Sequence, residues 1–96
     1  MSIEKQIGIS SYIESSSGNY GLNSLRVDIG ELVLYFSYKT VIAYRYKGDF
    51  QIRENIWGQT TGRHLNAINS DKSIRISGEK FNEKLTGILK ECGVMF

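Results

Sequence analysis

The stretch from Glu31 to Trp57 constrains the fold more than any other part of the chain. Leu32, Leu34 and Phe36 alternate with Val33, Tyr35 and Ser37, the period-two pattern of a strand with two different faces. Thr40 to Tyr46 is rich in β-branched and aromatic residues, and Tyr38-Lys39 before it reads as a tight connection or, since neither residue favours positive φ, as part of a longer turn. Lys47-Gly48-Asp49 is a stronger hairpin signal, because glycine tolerates a left-handed backbone. A third strand then sets Phe50, Ile52 and Ile56 against Gln51, Arg53 and Asn55. The reading is a three-stranded antiparallel meander.

The flanking segments extend this plan. Ile7 to Ile13 and Leu22 to Ile29 alternate as strands, separated by the turn-rich Ser15-Ser16-Ser17-Gly18-Asn19. After the meander, Thr60 or Thr61 is expected to cap a short helix reaching about Asn69, with Leu65 and Ile68 facing the core. Ser73 to Ile76 reads as a last short strand. Ser77 is placed to cap a helix from Gly78 to Cys92, with Glu79 in its first turn, Lys90 in its last and Gly93 just beyond. Phe81, Leu85, Ile88, Leu89 and Cys92 share one face of that helix. The expected fold class is α+β: an antiparallel β-meander sheet with a short helix and a C-terminal amphipathic helix packed on one face. Residues 1–96 are read as a single domain, since the length suits one core and no linker divides it.

Composition removes several function classes. Apolar residues at 41% and charged residues at 23% describe a globular chain. A formal charge of +2 argues against a histone-like electrostatic binder. One cysteine permits no internal disulfide, and one cysteine with one histidine cannot build a structural zinc site, so no cofactor is expected. No apolar run approaches the roughly 20 residues that span a bilayer. Met1 to Gln6 lacks the start of a signal peptide, and an intracellular protein with no membrane partner is expected.

The densest polar stretch is Asn55-Ile56-Trp57-Gly58-Gln59-Thr60-Thr61-Gly62-Arg63-His64-Leu65-Asn66, which holds the only tryptophan and the only histidine. It falls where a strand gives way to a helix, a junction whose free amides suit an anion. Trp57, Thr60, Thr61, Arg63, His64 and Asn66 are therefore candidate binding residues. The competing reading is a capped turn with Trp57 filling the core. The stretch fails the phosphate-binding loop of NTPases: three residues separate Gly58 from Gly62, and Arg63-His64 stands where Lys-Ser/Thr is needed. No catalytic set stands out. Cys92 lies on an apolar stripe at a helix C-terminus, and His64 has no local carboxylate to orient it.

Charge is uneven along the chain: residues 1–38 carry a net −2, residues 39–75 a net +4, and residues 76–96 none. Arg45 and Lys47 lie among Tyr38, Tyr44 and Tyr46 in the basic segment and join the candidate binding residues. Basic residues interleaved with aromatics can bind single-stranded nucleic acid, although Arg45 and its tyrosine neighbours fall on opposite faces unless a bulge intervenes.

Two blocks, Leu34-Tyr35-Phe36-Ser37-Tyr38-Lys39-Thr40-Val41-Ile42-Ala43-Tyr44-Arg45 and Glu54-Asn55-Ile56-Trp57-Gly58-Gln59-Thr60-Thr61-Gly62-Arg63-His64-Leu65-Asn66, carry a family resemblance. Over residues 25–92 the chain resembles small uncharacterised proteins of archaeal viruses, phages and some archaea. That resemblance implies a β-meander with C-terminal helices, a viral origin and a place in the host cytoplasm; it carries over no catalytic residue. The expected function is a small non-enzymatic binding protein whose partner is nucleic acid or a host protein. The alternatives are a protein–protein interaction module blocking a host defence complex, and a small phosphate- or nucleotide-handling enzyme using the Thr60–His64 junction. A homodimer formed through a sheet edge is a further expectation.

Overall fold

A computed structural model describes residues 7–12 and 24–93. Five strands, β1 (Ile7–Ser11), β2 (Leu25–Ile29), β3 (Leu32–Ser37), β4 (Thr40–Tyr46) and β5 (Asp49–Ile52), form one antiparallel sheet in sequence order. Two α-helices follow, α1 (Gln59–Ile68) and α2 (Gly78–Cys92), with a single 3-10 turn at Lys72–Ile74 between them. This is the expected α+β class with its meander and C-terminal helix. The predicted strand ends at Ile13 and Leu22 lie outside the described residues.

Each hairpin follows from local chemistry. Lys47 and Gly48 both have positive φ, 49° and 85°, as a two-residue turn matched to strand twist requires. The β3–β4 connection is equally short, and there Tyr38 takes φ 54° without glycine's freedom. Within the β3–β4 ladder Tyr35 faces Ala43 but Phe36 faces Val41, so Ile42 is an extra, bulged residue. The bulge turns Ile42 and Ala43 towards the same side of the sheet.

Two apolar clusters result, one on each face. Leu32, Leu34 and Tyr44 bury against Phe81, with Leu85, Ile88, Leu89 and Cys92 of α2 packed around them. The Tyr44 and Phe81 rings lie 5.6 Å apart. On the other face Ile42, Ala43 and Ile52 bury against Leu65, with Tyr35, Phe50 and Ile68 around them. Each large side chain so buried contributes about 1.5–3 kcal/mol relative to exposure. The two helices therefore cover opposite faces, which corrects the expectation that both pack on one. The physical reason is strand alternation combined with the bulge, which gives β3 and β4 two apolar faces.

Three boundaries also differ from expectation. The third strand of the meander stops near Arg53 instead of continuing to Ile56. Asn55 Oδ1 accepts from the Trp57 amide at 3.0 Å and its Nδ2 donates to the Gly58 carbonyl, a side-chain turn that competes with a ladder. Ser73 to Ile76 is not a strand. Asp71 Oδ1 accepts from both the amide and the hydroxyl of Ser73, winding the 3-10 turn, and Ile76 alone makes a parallel bridge to Arg53. Finally, α1 is capped by Gly58 with no side-chain hydrogen bond, so neither Thr60 nor Thr61 is its cap. The α2 termini match expectation: Ser77 Oγ accepts from the Lys80 amide, and Gly93 ends the helix at φ 70°.

Candidate functional site

The end of the sheet where β3 turns into β4 is covered by the first turns of α1 and by the segment leading into it. Ser37, the last residue of β3, is buried beneath α1, and its hydroxyl oxygen lies 2.6 Å from His64 Nδ1 and 3.1 Å from Thr61 Oγ1. Helical spacing places Thr61, His64, Leu65 and Ile68 on the sheet side of α1. Aromatic rings wall in the imidazole: Tyr12 is 6.1 Å away and Tyr38 5.9 Å. Burial pushes the His64 pKa below its ordinary value, so the ring is neutral near pH 7. Tyr12 donates from its hydroxyl to the Phe36 carbonyl at 2.7 Å, and burial raises its pKa.

Above this network lies a small cleft of about 60 Å³ lined by Ser37, Tyr38, Thr40, Ile42, Trp57 and Thr61. Two of its walls are exposed aromatic rings, Tyr38 at 50% and Trp57 at 47%. Trp57 is thus not a core residue. Its ring is instead backed by the Arg53 guanidinium, whose central carbon lies 4.5 Å from the ring centroid. Sequence reasoning placed Arg53 on the polar side of a strand and missed this contact, because the turn at Asn55 folds Trp57 back over its neighbour.

The candidate residues therefore do not form one site. Trp57 and Thr61 line the cleft, and His64 lies buried beneath it. Thr60 and Arg63 are exposed on α1, and Arg63 has no hydrogen bond or ion pair among the described residues. Asn66 faces a different hollow of about 390 Å³, lined by Glu54, Asn55, Gly62, Asn66, Lys72 and Arg75, where its Oδ1 accepts from Arg75 Nη2 at 2.8 Å. Arg45 and Lys47 sit at the far end of β4 from Thr40, about 15–20 Å away along a strand. Arg45 pairs with Val33 and Phe50 on the α1 side, whereas Tyr44 and Tyr46 belong to the α2 side. The bulge at Ile42 precedes all three, so Arg45 stays on the face opposite Tyr44 and Tyr46; its guanidinium lies 5.3 Å from the Phe50 ring, while Lys47 Nζ lies 5.1 Å from the Tyr46 ring. Tyr44 is in any case only 1% exposed and cannot stack on a ligand.

Two further features carry weight for binding. Every residue of β1, an edge strand, is exposed, with Ile7 and Ile9 at 66%, in register with Ile29 and Val27. Among the described residues no helix is long and apolar enough to cross a membrane. Comparison with curated proteins and with solved structures gave no match. A family model, described as a family of unknown function, matches residues 4–83 and so takes in all five strands, α1 and the start of α2. The chain belongs to the DUF8033 family of unknown function.

Proposed function

We propose that this is a small non-enzymatic binding protein, of viral origin and acting in the host cytoplasm, and that its partner is single-stranded nucleic acid. One observation carries the reading: Tyr38 and Trp57, both about half exposed, wall the same cleft at the start of α1, where Gly58 caps the helix without a side-chain hydrogen bond. Base stacking on exposed aromatic rings contributes about 1–3 kcal/mol per base and tolerates any sequence. The amides of the first α1 turn and Arg63, none of them bonded among the described residues, suit the accompanying phosphates. The cleft, about 60 Å³, is too small for a base, so stacking uses the exposed outer faces of Tyr38 and Trp57. A non-enzymatic role is supported by the burial of Ser37 and His64 beneath it, at 3% and 2% exposure.

Trp57 is the only tryptophan, so its emission reports this surface directly. Titration with a short oligothymidylate at low salt should quench or shift that emission saturably, with affinity falling as salt rises because phosphate contacts release counterions. Absence of binding tighter than about 10⁻⁴ M at low salt would overturn the reading.

Strand β1, exposed and at the edge of the sheet among the described residues, favours a second reading, in which another protein chain, a host factor or a second copy, adds a strand there. Capture of one specific host protein after nuclease treatment, or a dimer abolished by Ile9→Lys, supports this reading over the first.

A further inference from the structure

Arg53 presents a problem that the fold itself does not solve. The residue is only 6% exposed, yet its guanidinium makes no hydrogen bond and no ion pair among the described residues. Its Nε is wholly buried without a partner. Glu54 follows directly in the chain, but no carboxylate comes within ion-pair distance among the described residues. Two rings flank the cation, Trp57 at 4.5 Å and Phe81 at 5.9 Å. Rings offset part of the cost of burying a charge but supply no acceptor for its donors.

The guanidinium is also aimed at a second electropositive element. It packs against Gly78, the first residue of α2, so closely that a Cβ there would lie 2.8 Å from its central carbon and nearer still to one of its nitrogens. Ser77 Oγ satisfies the Lys80 amide and the Ser77 carbonyl satisfies that of Phe81. The Gly78 and Glu79 amides have no partner among the described residues. A buried cation thus abuts the positive end of a 15-residue helix whose first amides are free. Glu79 lies in the first turn of α2, but it makes no ion pair with Arg53, so the guanidinium meets the positive helix end without a paired carboxylate among the described residues. An anion would satisfy both.

We propose that Arg53 and the N-terminus of α2 bind a phosphate-type oxyanion, with Gly78 kept free of a side chain by the guanidinium lying against it. Planar paired donors on Arg53 and free backbone amides are the groups that recognise such an anion. Its source is either inorganic phosphate or a backbone phosphate of the strand stacked on Trp57. The second source rests on the function proposed above, and the first does not.

The test uses the full chain in phosphate-free buffer at constant ionic strength, with Trp57 emission and melting temperature as readouts. Inorganic phosphate and an oligothymidylate are titrated separately into wild type, Arg53→Met and Gly78→Ala. Arg53→Met keeps the volume and removes the charge. Gly78→Ala keeps the charge and displaces it, so either variant serves if the other fails to fold. Phosphate is expected to shift Trp57 emission saturably and raise the wild-type melting temperature, with the response at least tenfold weaker in both variants. Arg53→Met is expected to melt no lower than wild type without phosphate, because it removes an uncompensated buried charge.

A tenfold weaker oligothymidylate affinity in Arg53→Met, with little response to inorganic phosphate, assigns the site to a backbone phosphate. A phosphate response with no oligothymidylate binding keeps the anion site and overturns the nucleic-acid reading. Absence of a phosphate response, with equal oligothymidylate binding in wild type and Arg53→Met, overturns the anion site alone. If neither ligand binds, both fall.

Discussion

His64 Nδ1 and the Ser37 hydroxyl oxygen meet at 2.6 Å across the junction of α1 with the end of β3. Thr61 Oγ1 closes the group from the same helix face, 3.1 Å from that hydroxyl. Ser37 is followed directly by Tyr38, whose positive φ turns the chain into β4 and whose ring forms one wall of the cleft. The buried polar group therefore sets the distance between α1 and the hairpin, and with it the shape of the surface bearing Tyr38 and Trp57.

His64 should make stability depend on pH. Its folded pKa lies below the ordinary value near 6.5 because burial disfavours the charged ring. The unfolded chain then binds more protons than the folded one below about pH 6.5. The contribution is complete above about pH 7.5 and is lost as pH falls through 6.5 towards the depressed pKa, at no more than about 1.4 kcal/mol per pH unit. Urea unfolding between pH 5.5 and 8 measures this slope. Since the chain has one histidine, His64→Gln should flatten it. An unchanged slope in that variant would assign the effect to carboxylates.

Removing the Ser37 hydroxyl should cost more than its size suggests. Ser37→Ala leaves His64 Nδ1 and Thr61 Oγ1 buried without the group they share, a loss of about 1–3 kcal/mol. Thr60 is exposed one residue before Thr61, and Thr60→Val should stay within about 0.5 kcal/mol. Denaturant midpoints of the two variants give the comparison.

The caps make a similar contrast. Ser77→Ala removes the acceptor for the Lys80 amide and should cost about 0.5–2 kcal/mol. Thr61→Ser keeps the hydroxyl that bonds Ser37, and it should be tolerated far better than Thr61→Ala if Thr61 works as a buried hydrogen-bonding residue and not as a cap. Equal losses for the two Thr61 variants would point to the methyl group instead.

How legible each element was depends on how local its cause is. The turn at Gly48 and the two ends of α2 are set by residues within a few positions, and Lys47-Gly48, Ser77 and Gly93 announce them in the sequence. The bulge at Ile42 depends on how β3 and β4 pair, which no pattern in β4 alone reveals. It turns Ile42 onto the α1 face beside Ala43. Competition from side chains hid two other boundaries: Asn55 and Asp71 bond nearby amides and end or replace strands that alternation alone would continue. At the site, the polar junction was recognisable as a cluster of residue types. Its division into a buried group, an exposed aromatic pair and a separate hollow at Asn66 depends on which helix face each residue occupies. Arg53 was invisible for a stronger reason, since a basic residue on a strand is ordinarily read as solvent-facing and only the packing of Phe81, Trp57 and Gly78 buries it.

Tyr38 offers a variant in which stability and binding should part company. Its φ of 54° is uncommon for a bulky side chain, and the strain favours any residue that tolerates the left-handed region. Asparagine does so through its short polar side chain. Tyr38→Asn should thus recover about 1 kcal/mol of backbone strain while giving up the ring contact with His64 at 5.9 Å, leaving net stability within about 1 kcal/mol of wild type. The exposed ring is what the proposed nucleic-acid surface uses, and losing one stacked base should weaken oligothymidylate binding by about 1–3 kcal/mol, or roughly 5- to 150-fold. Thermal melts and Trp57 fluorescence titrations on the same sample measure the two effects separately. A large loss of stability with unchanged affinity would mean that Tyr38 holds its strained turn to pack on His64, and the cleft would then lose one of its two stacking walls as a binding surface.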